Sequence, residues 1–526
     1  MLDEIYRYHD GTKHHFHAFA RSRGYLDWAS QPNPFRSFHG AAAVALWPRP
    51  DALAATAAVG AILRHSLGIS AWKRDAGFRW PLRVNPSSGN LHPTEAYVVA
   101  GPLAGVTGQP AVFHYASDRH ALEQRCVFDA TSWREAVPSP DATLLVALTS
   151  IHWRESWKYG ERAFRYCQHD LGHAVAAVGV AAALEGWCAH VLGDWSHREV
   201  ASLVGADRDG DYVDAEREEP GCVIALTAEA SAGGEPPRVA RDVLLGGVSR
   251  GTWSGRAGQL SEDHVQWTFI DEIAAATEDR GRARPAPPAP PAFPAPPAFP
   301  TRMILQRRSA LALDPQSSID RERFLGILAA TVPSSAAPWS ALWWDARIHL
   351  AVFVHRVEGL EPGLYVLVRN VSAEERLRAA MRSDFLWERA HNRLPLFQLA
   401  RGDCRSLAGR LSCDQSIAAD GFFSLGMLAD FDAGLREHGP SFYRHLFWES
   451  GVVGQVLYLA AEAAGARGTG IGCFYDDPVH DVLGIADHAF QSLYHFAIGT
   501  PVDDPRVTSE PGYAWETSPS ERPVHS

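Results

Sequence analysis

The stretch RYCQHDLGHAVAAVGVAAALEGWCAHVLGDWSHREVASLVG (Arg165–Gly205) recurs in altered form as RHLFWESGVVGQVLYLAAEAAGARGTGIGCFYDDPVHDVLG (Arg444–Gly484). The register is constant and ungapped: 451 − 172 = 279, and the same offset relates 465 to 186, 472 to 193 and 484 to 205. Arg165, Gly172, Ala181, Ala182, Gly186, Gly193 and Gly205 all meet identical residues. Each copy predicts a long helix, rich in small and apolar residues and ended by a glycine suited to a C-cap. A loop and a short second helix follow. A helix apolar all round must be buried. The repeat therefore predicts a duplicated domain, each copy built on one central helix.

Between the copies lies RPAPPAPPAFPAPPAFPT (Arg284–Thr301). Proline at this density blocks helices and sheet ladders and favours an extended coil. At ~3.1 Å per residue it spans about 50 Å, enough to cross a domain. The predicted division is a first domain at 1–280, a Pro/Ala-rich linker at 281–301, a second domain at 302–510 and a flexible tail at 511–526.

Short apolar runs flank both central helices: AYVVAG, LLVALTS and CVIALTA in the first half, IHLAVFV, LYVLV and LYHFAIG in the second. Strands mixed irregularly with helices indicate an α+β fold rather than strict βαβ alternation. No GxGxxG or Walker loop stands between a strand and a helix.

The bulk numbers agree with 526 residues in two domains. With 46% hydrophobic and 21% charged residues the chain is globular. A formal net charge of −12 argues against nucleic-acid partners, which require clustered Lys and Arg. Seven cysteines without a CxxC pair suggest neither a disulfide framework nor a zinc ribbon. The opening MLDEIYRYHDGTKHHFHAF lacks the apolar core of a signal peptide, and no run is long enough to span a bilayer. These features lead to the expectation of a cytoplasmic protein.

Chemistry concentrates in a few places. In PSSGNLHP (Pro86–Pro93), Ser87, Ser88 and Asn90 offer hydroxyl and amide groups, and Gly89 allows close backbone approach. The loop suits a heterocycle with polar edges, and its composition also fits an ordinary turn. Arg307 and Arg308 precede Ser309 in ILQRRSALALD, and guanidinium forks match phosphate. Lys158 and Tyr159 lie together in SWKYGERAF. His169 and His173 in HDLGH are four apart on a helix and could share a metal, although no third ligand is evident and core histidines are the simpler reading.

PSSGNLHP resembles the PSxxNxQP loop of the nitroreductase-like FMN flavoproteins, with His92 in place of the glutamine. YHDGTKH, LDWASQPNPFR and WKYGERAFRY resemble more specifically the SagB-type dehydrogenases, which oxidise azoline rings in ribosomal peptides. ILQRRSALALD is similar to that family's RRSxR motif, with Leu311 at the last arginine, and VHRVEGLEPGLYVLV and GTGIGCF add to the likeness. The resemblance implies two tandem nitroreductase-like domains, each a central mixed or antiparallel sheet flanked by helices. Family members are homodimers with FMN at the interface, so this chain would fold on itself as a pseudo-dimer.

Carried over by motif, the resemblance assigns cofactor binding to Pro86, Ser87, Ser88, Asn90, Arg307, Arg308, Ser309, Gly470, Gly472 and Arg506, and catalysis to Lys158 and Tyr159. The first half has the PSxxN loop without the arginine motif; the second has the arginines, but its corresponding loop, VPSSAAPW, lacks the asparagine. A single composite flavin site follows, with its mirror image free of flavin. The implied activity is azoline oxidation on a modified peptide or related small substrate, by hydride transfer to FMN. NAD(P)H-dependent reduction of nitro compounds or quinones, or a decayed duplicate serving as a scaffold, are the alternatives.

Overall fold

The computed structural model describes residues 2–46, 54–228, 236–282 and 299–516. The chain opens with helix α1 (Leu2–Gly11). A hairpin of β1 (Ile69–Asp75) and β2 (Phe78–Arg83) leads through the serine-asparagine loop into β3 (Thr94–Ala100). Then come β4 (Ala111–Ala116), β5 (Ala121–Val127), β6 (Thr143–Ser150), α2 (His152–Tyr159), the long α3 (Ala163–Leu184), β7 (Cys188–Val191) and β8 (Glu219–Thr227). The second half contains α4 (Thr268–Ala276), α5 (Thr301–Gln306), β9 (Ile348–Val354), β10 (Gly363–Leu367), β11 (Leu396–Arg401) and β12 (Phe423–Asp430). It ends with the long α6 (Phe442–Ala463), β13 (Arg467–Ile471), β14 (Phe490–Gly499) and β15 (Thr508–Pro511).

The two main sheets have the same strand order, β5-β4-β3-β6-β8-β7 in one lobe and β11-β10-β9-β12-β14-β13 in the other. Every pairing within them is antiparallel. The fold is α+β and duplicated, as the sequence predicts. Every residue of β3, β6, β9, β12 and β14 is buried. An antiparallel strand wetted on one face would alternate; these are covered on both, which is why they read as continuous apolar runs. Val98, Val146 and Ile224 of the first sheet join Val352, Leu425 and Phe496 of the second in one core around α3 and α6. The opposite faces have separate cores, with Val99, Leu145 and Val223 under the first lobe's outer layer and Phe353, Val366 and Leu428 under the second's.

α3 and α6 are 22 residues each, about 33 Å at 1.5 Å per residue. They cross where the repeat aligns Gly172 with Gly451. A Cβ at Gly172 would run into the carbonyl oxygen of Trp448, and one at Gly451 into that of His169. Neither glycine has an unusual φ; each is required by backbone-to-backbone contact.

The pseudo-twofold axis also relates the start of each lobe. Arg165 Nε donates to Thr12 Oγ1 at 3.0 Å, just after α1, and its repeat mate Arg444 Nε donates to Thr277 Oγ1 at 2.9 Å, just after α4. Each opening segment packs on the other lobe. His9 bonds Tyr443 and Gln491, and Asp476 N donates to His14 O at 3.0 Å; at the mirror position His197 N donates to Asp279 O at 3.0 Å. By this symmetry α4 opens the second lobe, so the predicted boundary at 280 falls too late. The proline-rich stretch lies inside that lobe's sequence; its residues 283–298 are outside the described residues.

The predicted free tail from 511 also needs correction. β15 pairs with β1, from Thr508 opposite Arg74 to Pro511 opposite Ala71. Tyr513 is buried against the first lobe, where its hydroxyl accepts from Ile69 N (2.9 Å) and donates to Ser117 O (2.6 Å). The anchoring tyrosine carries the segment, and residues 517–526 lie outside the described ones. None of the described helices is long and apolar enough to cross a membrane.

The helix crossing makes a testable pair. Gly172→Ala must push two backbones apart and should lower stability by about 1–3 kcal/mol in denaturant unfolding. Gly179→Ala, on the same helix, meets nothing closer than 3.6 Å and should be neutral or stabilising by up to about 1 kcal/mol.

Candidate active site between the lobes

A cavity of about 690 Å³ opens between the lobes. From the first lobe come Arg83, the loop Asn85–Asn90, His92, Tyr159, Tyr166, Asp170 and His173. The second contributes Arg307, Arg308, Ser309, Tyr458, Arg467, Thr469–Cys473 and Tyr494. Neither lobe encloses it alone. The volume is that of a small-molecule or cofactor site.

The loop is built to hold one shape. Gly89, Asn90 and His92 all have positive φ (57°, 60° and 54°), a region that costs most side chains energy and suits Gly and Asn. Internal bonds offset that cost: His92 N donates to Ser87 Oγ (2.8 Å), and Asn90 Nδ2 donates to Pro81 O (2.9 Å). Asp170 on α3 anchors the loop, accepting from Ser88 N and Ser88 Oγ at 3.0 Å each. Asp170 therefore points away from His169 and His173 and supports the loop. His169 stacks on Tyr494, and His173 shares a hydrogen bond with the Tyr494 hydroxyl at 3.3 Å.

The second lobe brings a cationic end. Arg307, 3% exposed, donates to Arg83 O (3.1 Å) and lies over the Tyr458 ring; among the described residues it has no carboxylate partner and its Nε is unbonded. Arg308 donates to Ser70 Oγ (3.1 Å), and burial together with Arg307 pushes its pKa down to about 10. Arg467 and Lys73 line the same end, and burial lowers the Lys73 pKa. Buried guanidinium groups without carboxylates are costly unless an anion joins them. Arg83 is paired with Glu95 at 3.9 Å, whereas the orphaned Arg307 Nε, with Asn85 Oδ1, fits a phosphate-bearing group with polar edges.

Ser309 Oγ bonds the Tyr458 hydroxyl (2.9 Å), which accepts from Gly470 N (2.8 Å). Gly470 and Gly472 make room for the rings of Tyr494 and Tyr166, on which a Cβ would collide. The structure thus gathers Pro86, Ser87, Ser88, Asn90, Arg307, Arg308, Ser309, Gly470 and Gly472 into one cavity. It leaves Arg506 outside: its exposed side chain pairs with Asp504, two residues away. Lys73 and Arg467 stand where Arg506 was expected. Only Arg467 carried a sequence signal, preceding the glycine run GTGIG on the same strand.

Tyr159 reaches the loop from α2, its hydroxyl beside Gly89 and its ring edge-on to Tyr166 at 4.6 Å. Burial raises its pKa far above the usual phenol value, so it stays a neutral donor. Lys158 Nζ approaches the same glycine from the rim, 5.6 Å from the Trp28 ring. Burial lowers its pKa, opposed by Glu155. Glu155 escaped the sequence reading. It is fully buried one turn before Lys158, neither carboxylate oxygen has a hydrogen-bond partner among the described residues, and burial plus Asp170 drives its pKa well up.

The mirror position is packed with side chains. Gly193, the repeat mate of Gly472, lies against the indole of Trp343, and His445, mate of Tyr166, sits between Trp343 and Trp344 at 5.1 and 5.0 Å.

Burial raises the Asp170 pKa to about 7, against hydrogen bonds from the loop serines that lower it. A carboxyl that holds its proton more tightly when folded contributes most to stability below its unfolded value of 3.8 and loses that contribution as pH rises to about 7. Cofactor-free protein should therefore lose stability between about pH 4 and 7 in denaturant titrations. Asp170→Asn should flatten that slope.

Comparison with known proteins gives the fold and one family match. Residues 304–500 match the model of the Nitroreductase family. A protein from Anabaena variabilis assigned as a nitroreductase superposes with a TM-score of 0.66 at 20% identity, covering 95% of this chain and 99% of its own. The E. coli Microcin synthetase McbBCD complex with truncated pro-MccB17 bound gives a TM-score of 0.29 at 15% identity, over 38% of this chain and 70% of that one. A protein from Ralstonia eutropha assigned as a nitroreductase gives 0.28 at 17% identity, over 42% and 95%. No curated protein sequence matches. The superposition over 95% of the chain shows that both lobes share the fold of the Anabaena variabilis protein, and residues 304–500 match the Nitroreductase family model.

Proposed function

We propose that this chain is an FMN-dependent dehydrogenase that oxidises azoline-type rings in a modified peptide or related small substrate, with one flavin per chain. The observation that carries the reading is the composite cavity, where buried Arg307 and half-buried Arg308 of one lobe face the serine-asparagine loop and Tyr159 of the other, with Lys158 against Gly89 of that loop. Arg307 and Arg308, with Arg467 and Lys73, hold the phosphate. Ser87, Ser88 and Asn90 set the loop against the ring system, and Gly470 and Gly472 form the opposite wall. When bound, FMN supplies the hydride acceptor that no protein side chain can provide.

The chain's own residues do the rest. Lys158, kept less basic by partial burial, takes the proton from the azoline carbon. Tyr159 remains protonated and donates a hydrogen bond that orients the ring. Trp28 turns its ring toward the ammonium at 5.6 Å. The flavin-free mirror position follows from the tryptophans that fill it.

Titration of the protein with FMN should give one equivalent per chain, and Arg307→Met should weaken binding at least about tenfold. Two equivalents would sink the composite site. Lys158→Ala should keep FMN yet slow the two-hydrogen mass loss of an azoline peptide by about 100–10,000-fold. Unchanged turnover removes the lysine from the mechanism, and fast reduction of bound FMN by NAD(P)H would point to a reductase instead.

A further inference from the structure

Cys413 and Cys473 meet at the cavity wall with their sulfurs 2.7 Å apart. That is closer than non-bonded sulfurs normally approach, and a disulfide needs only ~2.05 Å. The two residues are 60 apart in sequence and belong to different segments, the turn after residues 405–411 and the residues following β13. Gln415 clamps the segments together, its Nε2 donating to Ser412 O (2.8 Å) and to Cys473 O (3.0 Å). Cys473 and Gln415 both line the cavity, so Cys473 can be reached by a small reagent. Arg162, donating to the neighbouring Gly472 O at 3.3 Å, places a fixed positive charge beside it. Cys126, Cys167, Cys222 and Cys404 are buried.

We propose that Cys413 and Cys473 form a reversible dithiol–disulfide pair that locks the second lobe's wall of the cavity. The oxidant is hydrogen peroxide. The Cys473 thiolate attacks the peroxide oxygen, giving a sulfenic acid and releasing hydroxide, which takes up the proton that the thiol lost. Cys413 then attacks the sulfenic sulfur through its own sulfur, forming the S–S bond and expelling water. In balance, two thiols and one peroxide give one disulfide and two waters. The pair stands independently of which substrate the cavity takes.

The test uses the full chain and hydrogen peroxide at a few equivalents, followed by alkylation and peptide mass spectrometry. The expected product is a linked pair of peptides containing Cys413 and Cys473, two hydrogens lighter than the separate thiols and released by dithiothreitol, with the other five cysteines alkylated. In Cys413→Ser the link should vanish, and Cys473 should instead be trapped by a dimedone-type probe. Full alkylation of both cysteines after peroxide, or prior oxidation of any other cysteine, would overturn the proposal. So would Cys413→Ser protein that leaves Cys473 unlabelled while remaining folded by circular dichroism.

Discussion

The architecture depends on two helices touching backbone to backbone. Gly172 and Gly451 let α3 and α6 cross with no side chain between them, and each lobe's sheet packs on this pair. The crossing also sets the width of the cavity. Tyr166, Asp170 and His173 project from one helix and Tyr458 from the other. A shift of one helix would therefore move the loop anchor relative to the arginines. Close packing makes interiors stiff, so a constraint at the centre is felt at the rim.

Electrostatics divides the cavity into two ends. One holds a cluster of cations, in which Arg467 is paired with Asp503 while Arg307 is buried with no ion pair among the described residues. Behind the other, burial keeps Glu155 protonated beside a lysine whose charge burial weakens. Elsewhere the protein pairs buried charge with a direct partner. Asp476 accepts from Arg162 and Arg165 at 2.9 Å each, and despite burial those arginines hold its pKa well below the usual carboxylate range. The contrast separates a structural ion cluster from a place prepared for a ligand.

Much of the fold was legible because it rests on local pattern. The ungapped repeat marked the crossing helices, and six apolar runs marked six core strands. The loop and the Arg-Arg-Ser motif were legible as chemistry, since a turn rich in serine and asparagine and a pair of guanidinium groups carry their function in their residue types. What was missed depends on tertiary placement. Lys73 sits in an ordinary hairpin strand, and Glu155 becomes unusual only when burial strips it of partners. Arg506 looked right in sequence, but Asp504 lies two residues away and captures it. The exchange of α1 and α4 across the axis left no local signal, so the boundary was drawn at the prolines rather than before α4. The residues after the last strand were taken as tail because Tyr513 finds its partners in the opposite half of the chain.

The tryptophans opposite the cavity bear on how such a molecule can change over time. In a dimer of identical subunits every substitution appears twice, so a residue that improves one pocket must be tolerated in the other. Joining both subunits in one polypeptide removes that coupling. Trp343 and Trp344 can serve as core on one side while Tyr166 and Gly472 remain at a working surface on the other. Each lobe is then free to specialise, one as buttress and the other as bench.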